Sequence, residues 1–319
     1  MNIATIPVVF HGETPAVIRA VVDTVNARLT RQIPTTENIA DSDETIVLIV
    51  TGRYSQASPE ENELVTSIMG GDSQERFNVY FNWYNTVHEV GHIVERIALN
   101  NKILRGEEIE WGFMDSELFA NAFAVAFWAH YGDEETLNML RELVPYAAYN
   151  ENFTRPVAED EDIFDFARLY AAGEIDGTFN NYGWFQFNLV NYVLNEMRDL
   201  ESVLRSIGFD VGEAPPQRVL TFSSIGEEAI PEILTTVFTV LRDDWGIEMP
   251  ADMYVYHMLS DDPNQHSVIT LNSETTRFIR EILGLDEDDE TPIFELLGIV
   301  ISLDIDEDDM TRVWPHSNR

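Results

Sequence analysis

Residues 84–96 read YNTVHEVGHIVER, and within them His88, Glu89 and His92 spell H-E-x-x-H. On a helix each residue turns by roughly 100°, so positions four apart return to within roughly 40° of one another. His88 and His92 therefore share a face and aim two imidazoles at one point. A helix supplies two ligands of a tetrahedral zinc in this way. Glu89 falls beside that face, where a carboxylate can reach an activated water as general base without ligating the metal. The chemistry expected of such a trio is metal-assisted hydrolysis.

A catalytic zinc needs a third protein ligand. The extension H-E-x-x-H-x-x-G-x-x-H fails, because position 95 is Glu and position 98 is Ala. The next apolar stretch, residues 114–131 (MDSELFANAFAVAFWAHY), offers Glu117 near its start. Ala120 and Ala124 fall on the Glu117 face of that helix, and Gly91 lies between the two His. Small residues on both sides would let the two helix backbones approach, as a short carboxylate requires. Asn121, one turn after Glu117, is placed to orient His88 or His92 through a ring nitrogen, as is usual at zinc sites. Asp115 and Glu110 remain rival third ligands. His130 falls on roughly the opposite face from Glu117, and His11, His266 and His316 sit in apparent loops or tails. Sites of this kind often add a Tyr or His that donates to the developing oxyanion. Tyr182, in FNNYGWF, and His257, in YVYHML, are the candidates, although each also suits a core position.

HEVGH followed by Glu117 in ExxANxFAxxF resembles the gluzincin type of zinc metallopeptidase. It is particularly similar to the ImmA/IrrE-like family, whose motif pair is HExxH and ExxANxFA. The resemblance covers residues 84–128. It implies one Zn2+ per chain held by His88, His92 and Glu117, with Glu89 as general base and a peptide or protein as substrate. The family usually continues with a Leu-Met-Pro-like stretch, where this chain has AFWAHYGD, and no helix-turn-helix for DNA is evident. A repressor-cleaving role is therefore not implied.

Around this site the chain must supply elements. Residues 3–10 and 45–51 read as strands, 14–31 as an amphipathic helix, and 76–82 (RFNVYFN) as a third, alternating strand. A short helix is expected near 59–69, and the metal helix at 83–99. Beyond 114–131, helices are expected at 133–148, 160–172, 184–206, 226–241 and 273–284. Residues 252–259 and 293–303 could be strand or helix. The fold class expected is α+β: a small N-terminal mixed sheet with helices, a zincin-like two-helix metal site, and a mostly helical C-terminal part. Residues 1–131 would form the catalytic core and 132–319 a helical remainder able to complete the cleft, with an acidic tail.

Composition narrows the setting. There are no cysteines, which excludes disulfides, thiolate metal sites and thiol catalysis. The net charge is −38, and Lys102 is the single lysine. Such a surface repels nucleic acid and anionic lipid. It suits solubility, a salt-rich cytoplasm, or a basic partner. Neither a signal peptide nor an apolar run of membrane length is seen, so a cytoplasmic location is expected. The competing expectation is a non-catalytic, zinc-stabilised acidic interaction protein that binds a basic partner.

Overall fold

The computed structural model describes residues 45–52, 55, 59–70, 73–151, 153–176, 179–250, 253–260, 267–271 and 310–312. The chain divides into two units, residues 53–249 and residues 1–52 with 250–319. Both sequence motifs lie within residues 53–249.

The unit of residues 1–52 and 250–319 contains the described strands. β1 (Thr45–Gly52) is the β-branched run TIVLIVTG. It pairs in parallel with β2 (Met253–Ser260), in a register from Thr45↔Met253 to Gly52↔Ser260. β3 (Ser267–Leu271) runs antiparallel to β1, and β4 (Met310–Arg312) antiparallel to β2, giving the order β3-β1-β2-β4. Ile49, Thr51, Val255 and His257 are buried, one face of the strand pair at the expected period of two.

Among the described residues the expected N-terminal mixed sheet is not seen. The partners of β1 come from residue 253 onward. Residues 76–82, read as a strand, are helical: α2 (Ser73–Phe77) runs into a π-helical turn, Asn78–Tyr84. The reason lies in burial. Phe77, Val79, Tyr80, Asn82, Trp83 and Tyr84 are buried and only Arg76, Asn78 and Phe81 are partly exposed, so this segment is covered on most sides and its apparent alternation marks no solvent face. Aromatic and β-branched residues then serve packing rather than a pleat. The expected strand at 3–10, the helices at 14–31 and 273–284, and the stretches 286–290, 293–303 and 304–309 lie outside the described residues.

Residues 53–249 are helical, with no strand among the described residues. The helices are α1 (Pro59–Met69), α2, α3 (Asn85–Leu104), α4 (Phe113–Tyr131), α5 (Glu134–Ala148), α6 (Ile163–Ala171), α7 (Phe179–Glu196), α8 (Leu200–Ile207) and α9 (Ile230–Trp245). The unit that carries the metal helix is thus an all-helical body, not the α+β core expected.

α4 is apolar almost all round, as a central helix should be. It packs on α3, α6, α7 and α8, with Phe119, Phe123, Phe127 and Trp128 buried. Trp128 stacks on Trp83 with ring centroids 4.0 Å apart, tying the π-turn to α4. Local signals set the ends. Asp133, Asp162 and Asp199 accept backbone N–H groups at the starts of α5, α6 and α8. Gly208 and Gly246 close α8 and α9 in the left-handed conformation. The single helix expected at 184–206 is two, because Met197 takes φ 44° and Asp199 caps a fresh start. Among the described residues no helix is long and apolar enough to cross a membrane.

Candidate metal centre

Two helices lie close enough to share an ion because one residue between them has no side chain. A Cβ built on Gly91 of α3 would stand 2.8 Å from the Cα of Ala120 in α4. That is backbone, which cannot step aside. The glycine between the two histidines and the alanine one turn beyond Glu117 thus set the spacing of α3 and α4.

His88, His92 and Glu117 converge there, and one ligand atom from each lies within 4.8 Å of the others. This buried His-His-Glu group could hold a metal ion. The two Nε2 atoms are 3.1 Å apart. Glu117 Oε2 is 3.6 Å from His88 Nε2, and Oε1 is 3.9 Å from His92 Nε2. All of these donors come from the α3 face read at four-residue spacing and from the start of α4.

The surrounding hydrogen bonds fix which ring nitrogens face inward. Asn121 spends its amide on the Glu117 carbonyl, and its Oδ1 accepts the Tyr84 hydroxyl at 2.7 Å. That oxygen is therefore an acceptor toward His88 Nδ1, 3.1 Å away. His88 carries its proton on Nδ1 and turns the Nε2 lone pair inward. At His92 the logic repeats. The Ser116 hydroxyl donates to Glu95 Oε2 at 2.6 Å, so its oxygen accepts from His92 Nδ1 at 3.1 Å. Glu95 Oε2 lies 3.4 Å from the same nitrogen. Trp111 Nε1 donates to the other Glu95 oxygen at 2.6 Å. Asn121 is where the sequence placed an orienting residue.

Two inward Nε2 atoms 3.1 Å apart repel unless something positive lies between them. Without a metal that something is one proton. Burial and the charge of His92 hold His88 well below the ordinary imidazole range, against its hydrogen bond to Asn121. For His92 burial acts downward, but the Glu95 hydrogen bond and the charges of Glu117, Glu89 and Glu95 outweigh it, and it rises to about 9. A bound cation would take the place of that proton, because ligating imidazoles are neutral.

Glu89 is buried next to this group. Burial pushes its carboxyl up, to about 7, with His92 opposing, Glu117 adding, and the Asn85 amide opposing through a 3.2 Å hydrogen bond. A third helix closes the site. From α7, the Tyr182 hydroxyl donates to Glu117 Oε1 at 3.0 Å and the Gln186 amide donates to Glu117 Oε2 at 2.7 Å. Burial and the Glu117 charge raise Tyr182 well above the ordinary phenol range, so it keeps its proton.

The rival ligands stand elsewhere. Asp115 is exposed and accepts the Gly112 N–H at the start of α4, and Glu110 is exposed in the connection before it. His130 sits near the end of α4, against the Pro215 backbone. His257 belongs to β2, where its Nε2 meets the buried Thr51 Oγ1 at 2.8 Å. It is part of the sheet unit. Sequence reasoning missed Glu95, Ser116, Trp111 and Gln186. One signal was present: Glu95 is a carboxylate one turn from His92, with Ile93, Val94, Ile97 and Ala98 close to it in sequence. Gln186 follows Tyr182 by one turn, but its value depends on where α7 docks. No family model, curated protein or solved structure matches the chain.

Proposed function

We propose that this chain is a zinc-dependent metallopeptidase of the gluzincin type, akin to the ImmA/IrrE-like family, acting on a peptide or protein substrate. The observation that carries the reading is the convergence of three inward lone-pair donors on one point with a buried carboxylate, Glu89, beside them. The spacing suits zinc. Ligands about 2.05 Å from a tetrahedral ion stand about 3.3 Å apart, and the observed separations of 3.1, 3.6 and 3.9 Å bracket that value. Two imidazoles and one carboxylate are also a catalytic donor set that leaves a position open.

His88, His92 and Glu117 would hold the ion. Zinc bound there supplies Lewis acidity and an acidified water. Glu89 is the buried carboxylate that would take a proton from the attacking water and hand it to the leaving amine. Tyr182 is a hydroxyl donor for the developing oxyanion, already within the cluster through Glu117. The His92 side chain is 21% exposed, against 5% for His88 and 4% for Glu117, so the site opens on the His92 side. An opening and a free carboxylate base serve catalysis and have no use in a purely structural zinc site, which favours the enzyme over a zinc-stapled binding protein.

The test is Glu89→Gln, with zinc content and hydrolysis of a mixed peptide library measured together. The variant is expected to keep about one zinc per chain and to lose about 10²–10⁴ of the rate, the usual share of a general base. Equal hydrolysis by both proteins, or none by the zinc-loaded wild type, contradicts the peptidase reading.

A further inference from the structure

The geometry points to Gln186 as the positioning residue of this centre: its amide holds the Glu117 carboxylate and at the same time aims the Tyr182 hydroxyl proton at the metal site. The inference rests on the metallopeptidase reading and extends it to a residue that neither sequence motif contains.

A glutamine amide has two N–H donors and one carbonyl acceptor. Here all three are engaged. One N–H goes to Glu117 Oε2 at 2.7 Å and the other to the Tyr182 oxygen at 2.9 Å. The carbonyl accepts the Asn121 amide at 3.3 Å. Asn121 is the residue that orients His88, so Gln186 joins the His88 side of the cluster to the Glu117 side. The side chain cannot be turned over without breaking the set, since its carbonyl would then face the Glu117 carboxylate.

The consequence for Tyr182 follows from proton counting. Its oxygen already accepts from Gln186, so its own O–H is left to donate, and it donates to Glu117 Oε1 at 3.0 Å. The proton is thereby held on the Glu117 side of the phenol, facing the metal site. Tyr182 and Gln186 are four residues apart on α7, one above the other, and both are partly exposed. One turn of a third helix thus supplies the hydroxyl and the group that directs it. Phe185, between them in sequence, is fully buried and stacks on Phe166 at 4.7 Å, which anchors this turn of α7 to α6.

The experiment compares wild type, Gln186→Leu, Gln186→Asn and Tyr182→Phe as full-length chains. Zinc affinity is measured by competition with a chromophoric chelator, the visible absorption of the Co2+-loaded proteins is recorded, and the metal-free proteins are melted. Gln186→Leu removes both donors, and Gln186→Asn withdraws them by one methylene. Both are expected to weaken zinc binding tenfold or more, as groups that orient ligands do, and to shift the Co2+ bands. Tyr182→Phe leaves the Gln186–Glu117 bond in place but removes the donor to Glu117 Oε1, so it is expected to weaken zinc binding by less than Gln186→Leu does. Similar melting of the metal-free proteins excludes a general loss of fold. Wild-type affinity and an unchanged Co2+ spectrum in a folded Gln186 variant overturn the assignment. A wild type that binds neither metal overturns it together with the reading beneath it. A wild type that binds zinc but hydrolyses nothing sinks the peptidase reading alone and leaves the Gln186 result to stand or fall on its own.

Discussion

Three side chains on two helices point lone pairs at one spot, and the residues behind them decide that they do. Ser116 shows how small such a contribution can look. Its hydroxyl passes a hydrogen bond from His92 Nδ1 to Glu95. In Ser116→Ala, Glu95 Oε2 remains 3.4 Å from that nitrogen and takes over in part. Zinc affinity is therefore expected to fall by about tenfold, the low end for a group that orients a ligand. A chelator competition that finds no change would show that Glu95 suffices alone. At this scale much was legible. The four-residue spacing put His88 and His92 together, and the register of α4 put Glu117 and Asn121 on the facing side. Glu95, Ser116, Trp111 and Gln186 were not legible, because each acts through a rotamer and a neighbour that spacing does not specify.

Between elements, the controlling fact is the contact of Gly91 with Ala120. Adding one methyl at Gly91 sets a Cβ 2.8 Å from a backbone carbon, so α3 and α4 must separate. Overpacking of this kind costs about 1–3 kcal/mol, and alanine returns about 0.5–1 kcal/mol as a better helix former. Gly91→Ala is expected to lose about 1–2 kcal/mol in urea unfolding, and to bind zinc more weakly because Glu117 moves away with α4. Gly212→Ala, whose Cβ would meet no atom within 4 Å, is expected to stay within about 0.5 kcal/mol. Equal effects at the two glycines would contradict the close-approach account. Helices with one polar face, such as α5 and α6, were readable from periodicity. Residues 76–82 were not, because a segment buried on most sides has little solvent face to betray its period. The break between α7 and α8 was hidden because Met197 adopts a positive φ without a glycine to announce it.

Over the whole molecule, pairing between distant segments defeated the reading of an N-terminal sheet. The β-branched run at 45–52 forms a strand, but its partner begins two hundred residues later, at Met253. Local pattern says that a segment is extended and says nothing of what it pairs with. The acidic composition has a global consequence of its own. A net charge of −38 makes the folded chain repel itself. Raising NaCl shortens the screening length from about 10 Å at 0.1 M to about 3 Å at 1 M. The melting temperature of the full chain is expected to rise over that range. A flat or falling curve would mean that self-repulsion does not limit its stability.

The central claim is that His88, His92 and Glu117 together hold one zinc. It is tested most directly by metal content of the purified protein after incubation with zinc at neutral pH, wild type beside Glu117→Ala and Asp115→Ala. The account predicts about one zinc per chain in the wild type and in Asp115→Ala, and its loss in Glu117→Ala. A wild type that stays metal-free, or a Glu117→Ala protein that keeps its zinc, would contradict it.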